Sequence, residues 1–354
     1  MRVSAVLPHH DWNACGPAAR AAEADGVDVI QCPELANDPF IPLAFAALGS
    51  ERIELATAVA IAFPRSPMVV ANLAWDLARH AHGRFVLGLG SQVRAHNERR
   101  FSVPWVAPAA RMAEYVEALR AIWRCWQTGA KLDFQGKHYS FTLMTPEFSP
   151  KPLDVPMIPV MIAAVGPHML KAAARHCDGA RLHGFNTRKY LQEVVQPGLA
   201  EELAEAGKSF ENFEVTGGGF VVTGPDEAAV AAAAEKIRYR VAFYGSTPQY
   251  RGVFDIHGLT DLGVRLNEAT RRGAWNELAG MISDDVLDLF VARATYDKLP
   301  EAVAARFGGV VDTVSIDFQP GDDARTRRKV IDGIKAIPSR FKGYRTSWEA
   351  LARP

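Results

Sequence analysis

The chain has 354 residues, of which 48% are hydrophobic and 23% charged, a composition typical of a folded protein with a large core. The 40 basic and 40 acidic residues cancel, so no net field favours nucleic acid or an anionic membrane surface as a partner. The four cysteines form no Cys-x-x-Cys pair, which argues against a structural zinc site or a disulfide framework. No signal-peptide pattern and no apolar run of about eighteen residues is present, so we expect a cytoplasmic protein.

The first third of the chain alternates short apolar segments with helical patterns. Strands are expected at residues 2–7, 27–31, 53–59 and 85–89. Helices are expected at residues 17–24, 42–48 and 68–80, and a longer helix from about residue 111 repeats apolar side chains at intervals of three and four between Met112 and Trp126. Such alternation is typical of stacked βαβ units in a parallel sheet.

The rest of the chain continues the alternation with two interruptions. Strands are expected at residues 157–164, 180–183, 213–222 and 313–318, and helices at residues 168–176, 187–206, 228–242 and 326–337. A hairpin at 132–141 and a Pro-rich stretch form an insertion at about 128–156, and residues 226 to about 311 form a lid-like helical insertion. The pattern predicts an α/β fold, a single (β/α)8 TIM barrel over residues 1–354 with insertions after strands 4 and 7. An open doubly wound sheet with a second domain is the alternative.

The active site of such a barrel lies at the C-terminal ends of its strands, which selects the candidate residues. His9 and His10 follow strand one, Glu34 follows strand two and His183 follows strand six. Because imidazole titrates near neutral pH, His9 and His10 are favoured over Glu34 for proton transfer. No His-x-His or His-Glu-x-x-His spacing accompanies these residues, so no metal is expected.

The turn after strand four carries glycines and then arginines. Gly88 and Gly90 have the spacing that begins a dinucleotide fingerprint, but Val93 stands where its third glycine belongs. The basic side chains that follow either bind an anion or pair with carboxylates on a solvated surface. They are Arg94, Arg99, Arg100 and Arg111.

The turn after strand five leads directly into a helix. Its residues are Ala164, Val165, Gly166 and Pro167. Free N–H groups and the helix dipole at such a turn form a phosphate site, and Pro167 is tolerated in the first helical turn. The turn therefore predicts a phosphate-bearing cofactor.

Five short motifs follow one another along the chain in an order typical of one protein family. They are the run from Arg52 to Val59, the Arg65-Ser66-Pro67 helix start, the run from Gly83 to Ser91, the Val165-Gly166-Pro167 turn and the Cys177-Asp178-Gly179-Ala180 segment. In this order the chain resembles the bacterial-luciferase-like superfamily, and within it the deazaflavin (coenzyme F420) dependent oxidoreductases. The resemblance covers nearly the whole chain and implies a homodimer.

The resemblance implies a role for each rim segment. A non-prolyl cis peptide would fall on Ala58 and Val59, against the concave face of the cofactor ring. The end of strand four, at Gly90, Ser91 and Gln92, would contact the ring and ribityl chain. The strand-five turn would bind the cofactor phosphate.

Two departures from the family concern the acid or base. Glu34 stands where related sugar-phosphate dehydrogenases have a catalytic histidine, and the His9–His10 region replaces their acidic residue. Sugar-phosphate activity is therefore not expected.

These observations predict an enzyme that transfers a hydride between the deazaflavin and a small organic substrate under the loop after strand seven, where Tyr244 and Gln249 would set specificity. Arg94, Arg99 and Arg100 would face the acidic tail that the deazaflavin carries and FMN lacks. An FMN-dependent monooxygenase using reduced flavin and oxygen is the first alternative. A non-catalytic flavin- or deazaflavin-binding protein is the second.

Overall fold

The computed structural model describes residues 1–345, 347 and 348. Their strands are β1 Arg2–Val6, β2 Val29–Cys32, β3 Glu54–Thr57, β4 Ala60–Ile61, β5 Phe85–Gly90, β6 Phe134–Gln135, β7 Ser140–Phe141, β8 Val160–Ala164, β9 Gly179–Leu182, β10 Glu214–Gly217, β11 Phe220–Gly224, β12 Val291–Thr295 and β13 Thr313–Ser315. Eight of them form a closed barrel in the order β3-β2-β1-β13-β10-β9-β8-β5, because β5 also pairs with β3. The predicted (β/α)8 barrel is confirmed, and the open doubly wound alternative is wrong.

Helices separate these strands along the chain. They are α1 Trp12–Asp25, α2 Phe40–Gly49, α3 Pro67–His80, α4 Arg94–Arg99, α5 Pro108–Thr128, α6 Pro167–His176, α7 Arg188–Tyr190, α8 Gln196–Glu205, α9 Glu227–Gly245, α10 Arg251–Asp255, α11 Thr260–Arg271, α12 Asp284–Asp288, α13 Leu299–Phe307 and α14 Ala324–Lys335. A π-helical turn at Leu191–Val195 joins α7 to α8. Short 3-10 turns cover Pro146–Phe148, Pro248–Tyr250, Trp275–Glu277 and Ala279–Met281.

The chain divides into two compact units. Residues 1–4, 182–200 and 215–340 form the first unit, and residues 5–181 and 201–214, with the described residues after 340, form the second. The prediction of one domain over the whole chain stays a prediction.

The core of the second unit includes the apolar face of α5, as its periodicity predicts. Tyr115 and Trp123 are fully buried, and Trp126 makes an edge contact with Trp75 of α3 at 5.3 Å between ring centroids. Large aromatic side chains remove much apolar surface from water and contribute strongly to stability. This layer holds β5 and its neighbours in place from outside the barrel.

The first unit has a core of its own, formed by the expected lid-like insertion together with residues that precede it, such as Phe185. Phe185 stacks on Phe290 at 4.6 Å, and Phe254 packs edge-on against both rings. β11 pairs in parallel with β12 in a separate two-stranded sheet. The insertion, expected to be helical, therefore also contains a strand, β12, that pairs with β11 just before it.

The predicted strand at 213–222 is wrong in its extent. β10 stops at Gly217, and β11 begins a different sheet at Phe220. Gly217 and Gly218 have φ values of 83° and 79°, which glycine adopts without steric cost. These two glycines turn the chain out of the barrel.

The helices after β1 and β5 differ from the prediction. The first begins at Trp12 instead of residue 17, because Asp11 caps it by accepting the Asn13 N–H at 3.0 Å, and Pro17 lies inside the helix. Helix α4 follows β5 directly, where no helix is expected from the sequence.

Candidate functional site

β3 ends in a backbone bulge beside β5. The Ala58–Val59 peptide is cis, so this expectation is confirmed. The Thr57 hydroxyl donates to the Gly88 carbonyl at 2.7 Å and accepts the Gly88 N–H at 2.8 Å. A Cβ on Gly88 would lie 2.0 Å from the Thr57 carbonyl oxygen, and one on Gly90 would lie 2.6 Å from the Val59 side chain. The glycines of β5 therefore make room for this bulge.

Glu34, after β2, lies in a buried ionic network. Its Oε2 accepts the Ile61 N–H at 2.7 Å, and Arg65 Nη1 donates to its two oxygens at 3.0 and 2.8 Å. Arg65 Nη2 donates to Asp38 at 2.9 Å. Burial alone would lower the pKa of the Arg65 guanidinium, but hydrogen bonds and charges from Glu34 and Asp38 raise it. With both oxygens engaged, Glu34 is suited to holding the segment after the bulge.

His9 is buried, with only 6% of its surface exposed. Its Nδ1 lies 3.0 Å from the Leu7 carbonyl oxygen, and a carbonyl pairs only with a donor, so Nδ1 carries the proton. In the neutral ring the Nε2 atom then has a free lone pair, and it has no hydrogen-bond partner among the described residues. Such an orphaned acceptor is suited to a donor on a bound molecule.

His10 lies against His9, with 4.1 Å between the ring centroids. The Asn37 amide nitrogen is 2.8 Å from His10 Nδ1, which makes this nitrogen an acceptor in the neutral ring and leaves the proton on Nε2. The two histidines therefore present complementary groups, a lone pair on His9 and an N–H on His10. Asn37 was not found from the sequence because no motif marks it.

The end of β5 is fixed by a buried asparagine that the sequence did not reveal. Asn97 of α4 donates its amide to the Ser91 carbonyl at 2.8 Å and to the Val93 carbonyl at 3.1 Å. Gln92 between them has a φ of 58°, an uncommon conformation for a residue with a side chain. Strained residues of this kind are frequent at ligand sites.

The arginines after β5 have different surroundings. Arg94 forms an exposed ion pair with Glu98 at 2.9 Å, and Arg100 donates to the Leu35 carbonyl at 2.9 Å. Arg111 donates to the Tyr139 hydroxyl at 2.9 Å and lies over an aromatic ring, so its role is structural. Arg99 is exposed and has no ion-pair partner in the described part of the chain.

The turn after β8 opens α6 as expected. Ala164 ends the strand, Val165 is exposed, and Gly166 precedes the helix with φ 75° and ψ 164°. Pro167 is the first helical residue, and no side chain in the described part of the chain caps this helix. The N-terminal N–H groups of a helix need a partner, and an anion is a suitable one.

His183 follows β9 in the first unit, beneath two tyrosines. Tyr244 meets its ring edge-on at 4.3 Å, and Tyr250 stacks on it at 4.8 Å. Burial lowers the pKa of His183 to about 4. Gln249, the other expected specificity residue, is exposed. Tyr250 was missed because only the fold brings it to His183.

Neither a metal centre nor a membrane segment is found in what the structure describes. Over these residues, no group of three His, Cys, Asp or Glu side chains could hold a metal ion. Nor does any described helix combine the length and the apolar character needed to cross a membrane. The four cysteines are buried and free, and burial raises the pKa of Cys32 to about 12.

Comparisons with known proteins agree with this geometry. Residues 3–313 match the model of the luciferase-like monooxygenase family. An uncharacterised protein of Mycobacterium tuberculosis is 45% identical over 297 residues, 84% of this chain and 87% of that protein. The 5,10-methylenetetrahydromethanopterin reductase of Archaeoglobus fulgidus is 28% identical over 328 residues, 90% of this chain and 93% of the relative.

A solved structure extends the likeness to the fold. The coenzyme F420 dependent tetrahydromethanopterin reductase from Methanopyrus kandleri has a TM-score of 0.73 to this chain at 20% identity, covering 95% of this chain and 97% of that one. Fold and family match together define the class, a (β/α)8-barrel oxidoreductase. The chain belongs to the luciferase-like monooxygenase family.

Proposed function

We propose that this protein is a deazaflavin-dependent oxidoreductase, which uses coenzyme F420 to transfer a hydride to or from a small organic substrate. The observation that carries the proposal is the uncapped start of α6, where Gly166 at positive φ leaves the helix N-terminus open to an anion. The similarity to a methanopterin reductase and to an F420-dependent reductase supports this choice of cofactor. When bound, the deazaflavin ring supplies the hydride chemistry, and the protein supplies position and exclusion of water.

The rim residues fit such a cofactor. Ala164, Val165, Gly166 and Pro167 would hold its phosphate through backbone N–H groups, apart from Pro167, which has none and starts the helix. Ala58 and Val59 would contact the ring, and Gly90, Ser91 and Gln92 would contact the ring and ribityl chain. The buried amide of Asn97 keeps Ser91 in place for this contact.

The histidine pair is the proposed site of proton transfer. His10 presents an N–H at Nε2 and is the candidate donor, and His9 presents the lone pair of its Nε2 and is the candidate acceptor. Glu34 keeps a positioning role, because its carboxylate binds Arg65 and the Ile61 backbone. A His10→Gln variant should lose turnover yet keep its cofactor affinity.

Arg94, Arg99 and Arg100 are the proposed contacts of the acidic deazaflavin tail. Arg99 is the best placed of them, because it is exposed and has no ion-pair partner among the described residues. An exposed charge acts through a field that salt screens, so its contribution should be largest at low ionic strength. The tail contact would make the protein bind the deazaflavin in preference to FMN, which lacks that tail.

Fluorescence titration tests the cofactor assignment. We expect coenzyme F420 to bind with micromolar or tighter affinity, and Arg99→Glu to weaken F420 several-fold more than FMN. Arg271→Glu, an exposed position on α11, is the matched control and should change neither affinity. Absence of F420 binding to the wild type would overturn the proposal. If Arg99→Glu lost affinity equally for both cofactors, Arg99 would not contact the deazaflavin tail.

Two other functions remain as alternatives. The family's description favours a monooxygenase, and one that depends on FMN would consume oxygen when supplied with reduced FMN. A protein that retains flavin or deazaflavin tightly and turns over no hydride acceptor would be a binding protein. Oxygen uptake and turnover assays on one preparation distinguish the three outcomes.

A homodimer is also proposed, from an exposed apolar face on α1 and α2. Trp12 stacks on Phe45 at 5.7 Å, and Ile41 and Leu48 are exposed beside them in the same helix pair. Contiguous exposed apolar groups of this kind mark association surfaces. Leu48→Glu should convert a dimer into a monomer in light scattering, and Leu143→Glu, an exposed position after β7, should not.

A further inference from the structure

A track of aromatic rings in the first unit leads from the surface towards the end of β9. Trp275 and Phe243 lie at its outer end and are 46% and 40% exposed. Phe243 contacts Trp275 at 6.3 Å and Tyr244 at 5.3 Å, and Tyr244 contacts His183 at 4.3 Å. Tyr250 stacks on His183 at 4.8 Å and meets Tyr244 edge-on at 6.0 Å. One continuous aromatic surface therefore ends at the C-terminal end of a barrel strand, where barrel active sites lie.

His183 ends this track with a fixed hydrogen-bond donor. Its Nδ1 accepts the Phe185 N–H at 3.0 Å, so the proton of the neutral ring is on Nε2. Burial keeps the ring neutral near pH 7, because it lowers the pKa of His183 to about 4. No described residue forms a hydrogen bond with Nε2. The N–H is therefore a neutral donor that is free to bind another molecule.

The groups around this donor are mainly aromatic. The rings that contact His183 are those of Tyr244 and Tyr250, and burial lowers the pKa of His183 with no contribution from a charged neighbour. Burial, with a smaller contribution from Tyr244, raises the pKa of Tyr250 to about 12, so its hydroxyl also stays neutral. A charged group here would lose its hydration without gaining a counter-charge.

We propose that this track is the substrate site and that the substrate is an uncharged aromatic molecule whose carbonyl oxygen accepts the Nε2–H of His183. The inference rests on the proposed function, since it names the substrate class of that oxidoreductase. Aromatic walls bind a flat ring through offset and edge contacts. The single N–H then sets the orientation of the carbonyl group.

The test uses three small probes and ligand-observed NMR or calorimetry on the full chain. Acetophenone has an aromatic ring and an uncharged carbonyl group, toluene has the ring without the carbonyl, and benzoate has the ring with a negative charge. We expect wild-type protein to bind acetophenone about tenfold more tightly than benzoate, since a neutral site disfavours an unpaired anion. Equal affinity for acetophenone and benzoate would overturn the proposed substrate class.

A variant separates the hydrogen bond from the stacking. His183→Phe keeps a flat ring but lacks the N–H. It should weaken the binding of acetophenone about tenfold, in line with the loss of one hydrogen bond, and leave the affinity for toluene unchanged. His183→Gln, which restores an N–H, should recover part of the loss, and His80→Phe, at an exposed position, is the control. An equal loss for both probes in His183→Phe would exclude the hydrogen bond.

A measurement on the wild type keeps the test decisive if His183→Phe fails to fold. With 15N-labelled histidine, acetophenone should shift the Nε2 resonance of His183, and toluene should shift it much less. An unmoved resonance at saturating acetophenone would overturn the inference. Titrating F420 separately distinguishes the two proposals: acetophenone binding without cofactor binding refutes the function alone, and cofactor binding without acetophenone binding refutes the substrate class alone.

Discussion

Thr57 and Gly88 are joined by two hydrogen bonds between one hydroxyl and one peptide group. The Thr57 hydroxyl donates to the Gly88 carbonyl at 2.7 Å and accepts from its N–H at 2.8 Å, and the whole contact is buried. The contact ties the end of β3 to the middle of β5. It therefore fixes the backbone on which the proposed ring-binding residues stand.

Gly88→Ala should destabilise the protein strongly. Its Cβ would lie 2.0 Å from the Thr57 carbonyl oxygen, and a backbone atom cannot shift as easily as the end of a side chain, so a loss of about 3 kcal/mol in the free energy of unfolding is expected. Urea unfolding measures the change. Gly198→Ala is the control, since nothing lies within 4 Å of that added Cβ and alanine favours the helix. A Gly88→Ala protein as stable as Gly198→Ala would contradict the packing described for β3 and β5.

Removing the charge of Glu34 should lower the free energy of unfolding much more than removing the charge of Glu98. The Glu34–Arg65 pair is largely buried, with 7% and 18% of the side chains exposed, and without the Glu34 charge Arg65 keeps its pair with the more exposed Asp38. Glu34→Gln should lower the free energy of unfolding by about 2–3 kcal/mol, because charge-assisted hydrogen bonds are lost in a largely buried place. Glu98→Gln breaks the exposed pair with Arg94 and should cost less than about 1 kcal/mol. Similar losses in both variants would show that the network is not needed for stability.

A second substitution at Glu34 distinguishes a positioning role from a proton-transfer role for this side chain. If Glu34 acts by positioning, Glu34→Asp should retain the shape of the pH–rate profile while lowering its height, because the carboxylate remains but is too short to reach Arg65 and Ile61 together. A shifted acid or base limb in that variant would instead assign the proton to Glu34.

Gly166 and Gly129 allow backbone strain to be separated from cofactor binding. They have φ values of 75° and 72°, and neither would bring an added Cβ within 4 Å of another atom. Gly129 is left-handed with ψ 9°, and alanine there should cost about 1–2 kcal/mol of stability. Gly166 has ψ 164°, a region almost restricted to glycine, and alanine there should cost about 1–3 kcal/mol. Only Gly166→Ala should weaken F420, by about tenfold, because Gly129 ends α5 far along the chain from the α6 N-terminus. Equal F420 affinity in the two variants would show that the turn at Gly166 does not bind the cofactor phosphate.

The barrel could be predicted from the sequence because its strands are short apolar runs separated by periodic helices. The run from 213 to 222 misled the prediction, since its residues look like one strand, and only the positive φ values of Gly217 and Gly218 divide it. The cis peptide at Ala58–Val59 was found through family motifs and not through local chemistry.

The candidate site was harder to predict because its contacts join distant parts of the chain. Arg65 reaches Glu34 across 31 positions, and no spacing rule links them. Tyr250 reaches His183 from within the long insertion, so its role depends on how the first unit packs. Residue types at strand ends were informative, but their protonation and partners required the structure.

His183 should give the protein a distinctive loss of stability in mild acid. Its pKa is lowered from 6.5 to about 4, so between these values the unfolded chain binds a proton that the folded protein does not. Stability from this group is complete above pH 6.5 and falls as the pH drops towards 4, by up to about 1.4 kcal/mol per pH unit. The rings facing His183 are those of Tyr244 and Tyr250, and burial lowers its pKa with no opposing contribution from a charged neighbour.

Urea unfolding of wild type and His183→Phe between pH 4 and 7 measures this contribution. The variant cannot bind the proton, so its stability relative to wild type should improve steadily as the pH falls below 6.5 and stay constant above it. His80→Phe replaces an exposed ring and should run parallel to wild type over the same range. If His183→Phe also ran parallel, His183 would titrate near its ordinary pKa in the folded protein, and the burial that keeps the proposed donor neutral in mild acid would be refuted.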